Sequence, residues 1–315
     1  MAEHGTLVGT PPTTAPKMGG RHASDLSAHR NRARRGFLAP LTIILVALTV
    51  APFIYNLVIS LTDKASTNPS TTFIGFSNYT HLFSDSLFWE SIRTTILFTV
   101  VVVSIELIIA LTVAMALDRI SRGAPILRAL FLIPMAAAPV AVLFNWRVIL
   151  NVSYGVIDYV LGLLHLPQPD WTGEQGTALI TLMIVDVWQW TPFVLIIVAG
   201  GIASVPKDVY ESSAVDGASS WQTFRYLTLP LLRPYIIVAV LFRSIDALKT
   251  FDSIQILTSG GPGTSTVMLN YYIFQQGISY LSFGRAAAAA TILLVLATLL
   301  ARLLLGGLTR QRGER

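Results

Sequence analysis

The chain has 315 residues, 53% of them hydrophobic and only 12% charged. Soluble domains carry about 25% charged residues, so this composition excludes an ordinary soluble globule. The net charge of +5 does not point to nucleic acid, because the cations gather in short loops and tails, and the absence of cysteine excludes a disulfide framework, thiol chemistry and a cysteine metal site.

Residues 1–36 are rich in Gly, Pro, Thr and Ala, then basic at Arg21, Arg30, Arg32, Arg34 and Arg35. Low hydrophobicity without periodicity predicts a disordered cytoplasmic tail whose arginines hold the inner end of a first span. A secretory signal is the competing reading, but residues 37–61 form a charge-free apolar run, longer than the roughly 7–15 residues of a signal core. Apolar stretches follow at 94–117, 129–146, 177–203, 231–257 and 286–305. Each is close to or above the about 20 residues that cross a bilayer, and helices satisfy their own backbone there. The expectation is an all-α integral membrane protein with six transmembrane helices within residues 37–308 and a short cytoplasmic tail, 309–315.

Charge orients these spans. Sixteen Lys and Arg lie in 1–36, 118–128, 202–234 and 302–315, and Lys64 alone lies in the opposite loops 62–92, 150–176 and 258–284. Both termini and the 207–234 loop are therefore expected in the cytoplasm. The external loop 72–83 (TFIGFSNYTHLF) is aromatic-rich, as at the headgroup level. The lone His81 and His165 read as interfacial packing rather than metal ligands.

Ionisable residues inside the spans carry the functional signal. Glu106 stands alone in the second span with no evident partner, which suggests a packing role for a hydrogen-bonded or protonated carboxyl. The fourth span carries Asp186, Trp188, Gln189, Trp190, Thr191, Pro192 and Phe193. Acid, amide and aromatic rings together suit a sugar, whose hydroxyls need hydrogen-bond partners and whose ring faces stack on aromatics. In the fifth span Arg243, Asp246, Lys249 and Asp252 alternate in sign three residues apart. Each would cost roughly 2.5–3.5 kcal/mol at the centre of an isolated helix, so they must pair at i,i+3 and face protein or a water-filled cavity. That ladder is either an ion-paired scaffold or the polar wall of a transport pathway.

Between these two spans lies the one long polar segment that also looks helical, residues 207–234. Pro206 precedes a short helix over 208–215, and Gly217 sits where a left-handed stop is needed. Ser219 and Ser220 can cap a second short helix through Trp221, Phe224 and Leu227, which Pro230 is expected to end. The plainer reading is an amphipathic connector. No GxxxxGK[ST], HExxH or GxSxG run and no metal cluster is present, so no catalytic or metal-binding residue is assigned. Energy for any transport must come from a partner ATPase or an ion gradient.

The same loop resembles the EAA motif of permease subunits of ATP-binding-cassette (ABC) importers. Glu211 is followed by the small residues Ser212 and Ser213, by Asp216-Gly217-Ala218, and by Leu227 with Leu229-Pro230. The resemblance implies a cytoplasmic coupling helix that docks on an ATP-hydrolysing subunit, and a six-helix permease of the MetI-like type. Residues 251–266, FDSIQILTSGGPGTST, and the fourth-span run Asp186 to Phe193 are similar to the maltose-permease-F-like subfamily, as are Ile133-Pro134 and Pro139. That likeness implies sugar contacts at Asp186, Gln189, Trp190 and Phe193, with Arg243, Asp246, Ala247 and Thr250. It also implies a second permease in a heterodimer, two copies of an ATP-binding subunit carrying the ATP and Mg, an extracytoplasmic solute-binding protein, and an inner-membrane location. The expected cargo is a sugar or polyol; no cofactor in this chain and no nucleic acid are implied. A gradient-driven carrier or channel acting alone, a permease for a glycerol-phosphate-type anion that uses Arg243 as a clamp, and a membrane-embedded enzyme are the competing readings.

Overall fold

The computed structural model describes residues 20–67, 71–120 and 123–309. Apart from an isolated bridge between Thr62 and Phe73, these residues form helices and the loops that join them. The first helix, Gly20–Ser60 (α1), begins well before the apolar run. Of the tail expected over 1–36, residues 1–19 lie outside the described residues and the rest is helical. Several Ala and Arg, and no proline before Pro40, favour that extension. Up to Tyr55 α1 is a unit by itself, and its last turn from Asn56 belongs to a second unit with the rest of the chain. Its apolar stretch Leu38–Ser60 is largely unburied up to the last turn, with Leu41, Ile43 and Leu48 more than half exposed.

The second unit contains Ser77–Ser84 (α2), Ser86–Asp118 (α3), Ala124–Ala136 (α4), Pro139–Ile149 (α5), Val156–Leu163 (α6), Gln175–Ala203 (α7), Lys207–Val215 (α8), Ser220–Thr223 (α9), Leu229–Leu248 (α10), Leu269–Phe274 (α11) and Phe283–Thr309 (α12). Three π-helical turns occupy Phe224–Thr228, Ile254–Thr258 and Gln275–Ser279. α3 and α7 form the central pair, α10 packs across both, and α12 packs on α10. Small residues allow that closeness in a solvent of lipid tails, where packing rather than hydrophobicity drives association. Ala110, Ala114 and Ala239 are buried with Val194, Val198 and Leu232. At Gly201 a Cβ would come within 2.7 Å of Tyr235 Cγ and 2.9 Å of Leu232 Cδ2, so α7 and α10 meet there backbone to side chain.

Among the described residues, four helices are each long and apolar enough to cross a bilayer: Leu38–Ser60, Ser86–Asp118, Gln175–Ala203 and Phe283–Gly306. The third expected span, 129–146, is not one straight helix. Pro125–Ala136 and Pro139–Ile149 meet at an 89° bend. Pro139 supplies the reason: it disfavours helical backbone at the preceding residue, and Ala138 adopts φ −60°, ψ 121°. The fifth expected span, 231–257, also differs. α10 stops at Leu248, and a break at Lys249 to Phe251 separates it from the turn Ile254–Thr258.

Hydrogen bonds tie one end of this unit together. Gly284 N–H donates to the Lys64 carbonyl at 2.9 Å and Ser66 N–H to the Leu281 carbonyl at 3.0 Å. The Tyr272 hydroxyl donates to Asp85 at 2.6 Å, and Leu269 N–H to Thr95 Oγ1 at 2.8 Å. At the opposite end, α8 and the π turn after α9 share a cavity of about 290 Å³ with Met115, Asp118 and Arg119 of α3 and its C-cap.

Candidate functional site

This frame carries two constellations, one at the α8–α9 end and one buried among α3, α7 and α10.

At the first, α8 leaves Pro206 and closes at Asp216. Gly217 follows at φ +74°, the left-handed position that favours glycine, and its N–H bonds to the Ala214 carbonyl at 3.1 Å. Ser219 then caps α9 in a reciprocal pair: Gln222 N–H donates to Ser219 Oγ at 3.3 Å, and Ser219 N–H to Gln222 Oε1 at 2.7 Å. The hydroxyls of Ser212 and Ser213 bond back to the Asp208 and Tyr210 carbonyls, both at 2.8 Å. The result is a knob with no buried residue in α8. It exposes Glu211, Asp216 and Gly217 together with Val215 (88%), Trp221 (65%) and Tyr226 (73%). Exposed apolar groups clustered on a protruding surface mark an interaction site. Pro230 does not end the second helix as expected. Leu229 N–H reaches the Phe224 carbonyl through the wide turn Phe224–Thr228, which relieves the ring clash and lets the chain run on into α10.

The second constellation centres on Arg243 of α10, 1% exposed. Its Nε donates to Glu106 of α3, 3.0 Å from Oε1 and 2.8 Å from Oε2. One Nη donates to Asp186 of α7, and the other lies 3.2 Å from Asp246 Oδ2. The guanidinium also lies 5.6 Å from the Trp190 ring centroid. The forked donors of one arginine thus join three helices, with Glu106 and Asp186 buried and Asp246 half exposed.

This corrects two expectations. Glu106 has a partner after all, and only the first rung of the Arg243–Asp246–Lys249–Asp252 ladder forms among the described residues. Because α10 ends at Leu248, Lys249 and Asp252 leave the helical register that i,i+3 pairing requires, and both are exposed. Glu106 was missed because its partner is remote in sequence, although a lone acid in a long apolar run demands a cation.

Of the other expected pathway residues, Gln189 is 4% exposed with its Nε2 unpartnered, and Ala247 is fully buried. Phe193 packs partly buried in the apolar cluster below, and Thr250 sits at the break after α10. Trp188 faces elsewhere. It meets Trp146 edge to face at 5.4 Å and lines an apolar groove of about 890 Å³ with α3 and α4, beside Pro192. No group of three or more potential metal ligands occurs among the described residues.

The sequence profile of the binding-protein-dependent transport system inner membrane components matches residues 107–311. The trehalose/maltose transport system permease protein MalF of Thermococcus litoralis is 34% identical over 281 residues, covering 88% of this chain and 95% of the relative. The trehalose transport system permease protein SugA of Mycobacterium tuberculosis is 33% identical over 269 residues, covering 82% of this chain and 86% of that protein. A chain in the crystal structure of a bacterial alginate ABC transporter, in complex with an alginate pentasaccharide-bound periplasmic protein, superposes with a TM-score of 0.78 over 88% of this chain and 94% of its own, at 22% identity. That last likeness is one of fold.

Proposed function

Since the chain belongs to the binding-protein-dependent transport system inner membrane component family, we propose that it is the permease subunit of an ATP-driven importer for a sugar or polyol. It is a membrane permease rather than an enzyme, and it forms half of a translocation pathway. A second permease forms the other half, two copies of an ATP-binding subunit supply the work, and a solute-binding protein delivers the cargo. The termini and the 207–234 loop face the cytoplasm, the side favoured by the Lys and Arg asymmetry.

The observation that carries this reading is the knob itself. Two capped helices turn at a left-handed Gly217 and expose Glu211, Val215, Trp221 and Tyr226, with none of the described residues over them. A carrier driven by a gradient has no need of such a surface. We assign Glu211, Ser212, Ser213, Asp216, Gly217, Ala218, Leu229 and Pro230 to ATPase coupling. Asp186, Gln189, Trp190, Phe193, Arg243, Asp246, Ala247 and Thr250 are assigned to the pathway wall, with Arg243 joined to Asp186 and Asp246.

The buried ion cluster bears on the cargo. Arg243 is sealed by three carboxylates and is not free to clamp a phosphate, while the member left half exposed is the acid Asp246. This favours an uncharged carbohydrate over a glycerol-phosphate-type anion. Purification of the tagged chain in mild detergent from its native cell tests the assembly. Recovery of an ATP-binding subunit and a second permease is the expected result. A lone chain or homo-oligomer without an ATPase would replace this reading with the gradient-driven carrier.

A further inference from the structure

At the end of the second unit away from the knob lies a cavity of about 280 Å³ that the transport reading does not use. Three elements close it: the loop after α1, α2, and the start of α12. Lys64, His81 and Arg285 converge on it from those three elements, and Ser77 adds a hydroxyl. Its one acid, Asp63, already accepts the Thr72 N–H at 2.6 Å, and the Asn78 amide is engaged with the Ser60 and Thr62 carbonyls at 2.8 Å each. Arg285 is held at the wall by one bond to Ser282 Oγ at 2.8 Å, and its other N–H groups have no hydrogen-bond partner among the described residues. The cavity is therefore polar, cationic in balance and already shaped. Its size is close to the lower end, about 300 Å³, of ordinary small-ligand sites.

What surrounds it identifies the occupant. Phe73 (75%), Phe76 (72%), Phe83 (54%) and Trp89 (51%) are exposed on the same loop, on α2 and on the first turn of α3. Exposed aromatic rings at the end of a helix bundle sit at the headgroup layer, so the cationic cavity opens where phosphate is densest. We infer that this cavity binds the phosphate-bearing headgroup of an anionic phospholipid, with the Arg285 fork on the phosphate, the positive charge of Lys64 beside it, and Ser77 and His81 on its polar substituent. The inference stands whether or not the cargo is a sugar.

The test is native mass spectrometry of the full-length chain, purified in mild detergent with its co-purifying subunits. Phosphatidylglycerol and phosphatidylcholine with matched acyl chains are titrated against wild type, Arg285→Gln, Lys64→Gln/Arg285→Gln and, as a control at the same end, Lys249→Gln. Wild type and Lys249→Gln should retain phosphatidylglycerol in preference. Arg285→Gln should bind it about tenfold less well, the weight of one charge-assisted contact, and the double variant less again. Detergent melting temperatures should agree between wild type, Arg285→Gln and Lys249→Gln, since Arg285 and Lys249 are exposed. A large excess of inorganic phosphate should leave the lipid bound. Equal retention by wild type and Arg285→Gln overturns the site, and displacement by inorganic phosphate overturns the lipid in favour of a free anion.

Discussion

Arg243 Nε lies 2.8 Å from Glu106 Oε2, although the two residues stand 137 positions apart. Both are at most 1% exposed. The pair fixes α10 against α3, and the same guanidinium reaches Asp186 on α7.

Arg243→Met should therefore be severe. It leaves Glu106 and Asp186 as buried carboxylates without a cation, a change that costs about 3–5 kcal/mol. The triple variant Arg243→Met/Glu106→Gln/Asp186→Asn removes all three buried charges, and it should recover most of that loss. Thermal unfolding in detergent measures both. If the triple variant is no more stable than the single one, the cluster is not an ion-paired unit.

Gly217→Val separates coupling from folding. A Cβ there meets nothing within 4 Å, so the cost is the left-handed backbone, about 1–2 kcal/mol. The chain should insert and keep its partners, while ATP-dependent sugar uptake falls at least tenfold, the equivalent of about 1.4 kcal/mol at the docking surface. Uptake at the wild-type rate would show that the knob does not transmit work.

Asp246→Asn addresses the pathway. The carboxylate is half exposed and shares Arg243 with two buried acids, so its loss should not unfold the protein. If it accepts a substrate hydroxyl, the KM for uptake should rise about tenfold, as expected for one charge-assisted hydrogen bond of roughly 1.5 kcal/mol. Unchanged kinetics would remove Asp246 from the pathway wall.

Two adjacent glycines make an internal control. Gly201→Val places atoms against Tyr235 and Leu232, and overpacking of that kind costs about 1–3 kcal/mol. Gly200→Ala meets nothing within 4 Å and should be neutral or slightly stabilising in its helix. Equal melting temperatures for the two variants would mean that α7 and α10 are not in close contact at this point.

The knob was legible in sequence because its determinants are local. Pro206, Gly217 and Ser219 each act within a few residues, and the structure places each at the helix end or turn that its chemistry specifies. Arg243 and Glu106 were not legible as a pair. Sequence offered Asp246 three residues away as the evident partner, whereas the fold brings an acid from a helix 137 residues earlier. The same limit governs the spans. Hydrophobicity located the apolar stretches but not the 89° bend, which depends on where the chain can turn at Pro139 and pack against α7. Pro230 misled in the opposite direction, because a proline ends a helix only when no wider turn absorbs its ring.

That wider turn has a rotational consequence. The π turn Phe224–Thr228 carries one residue more than α-helical winding would need between α9 and α10. Each helical residue contributes about 100° of rotation and 1.5 Å of rise. The azimuth at which Glu211, Gly217 and Trp221 point from the α10 axis is thus set by a single inserted residue, like the tooth of a gear. Deleting one position from 224–228 would leave both helices whole and swing the entire knob by about 100°, aiming it away from whatever it now engages.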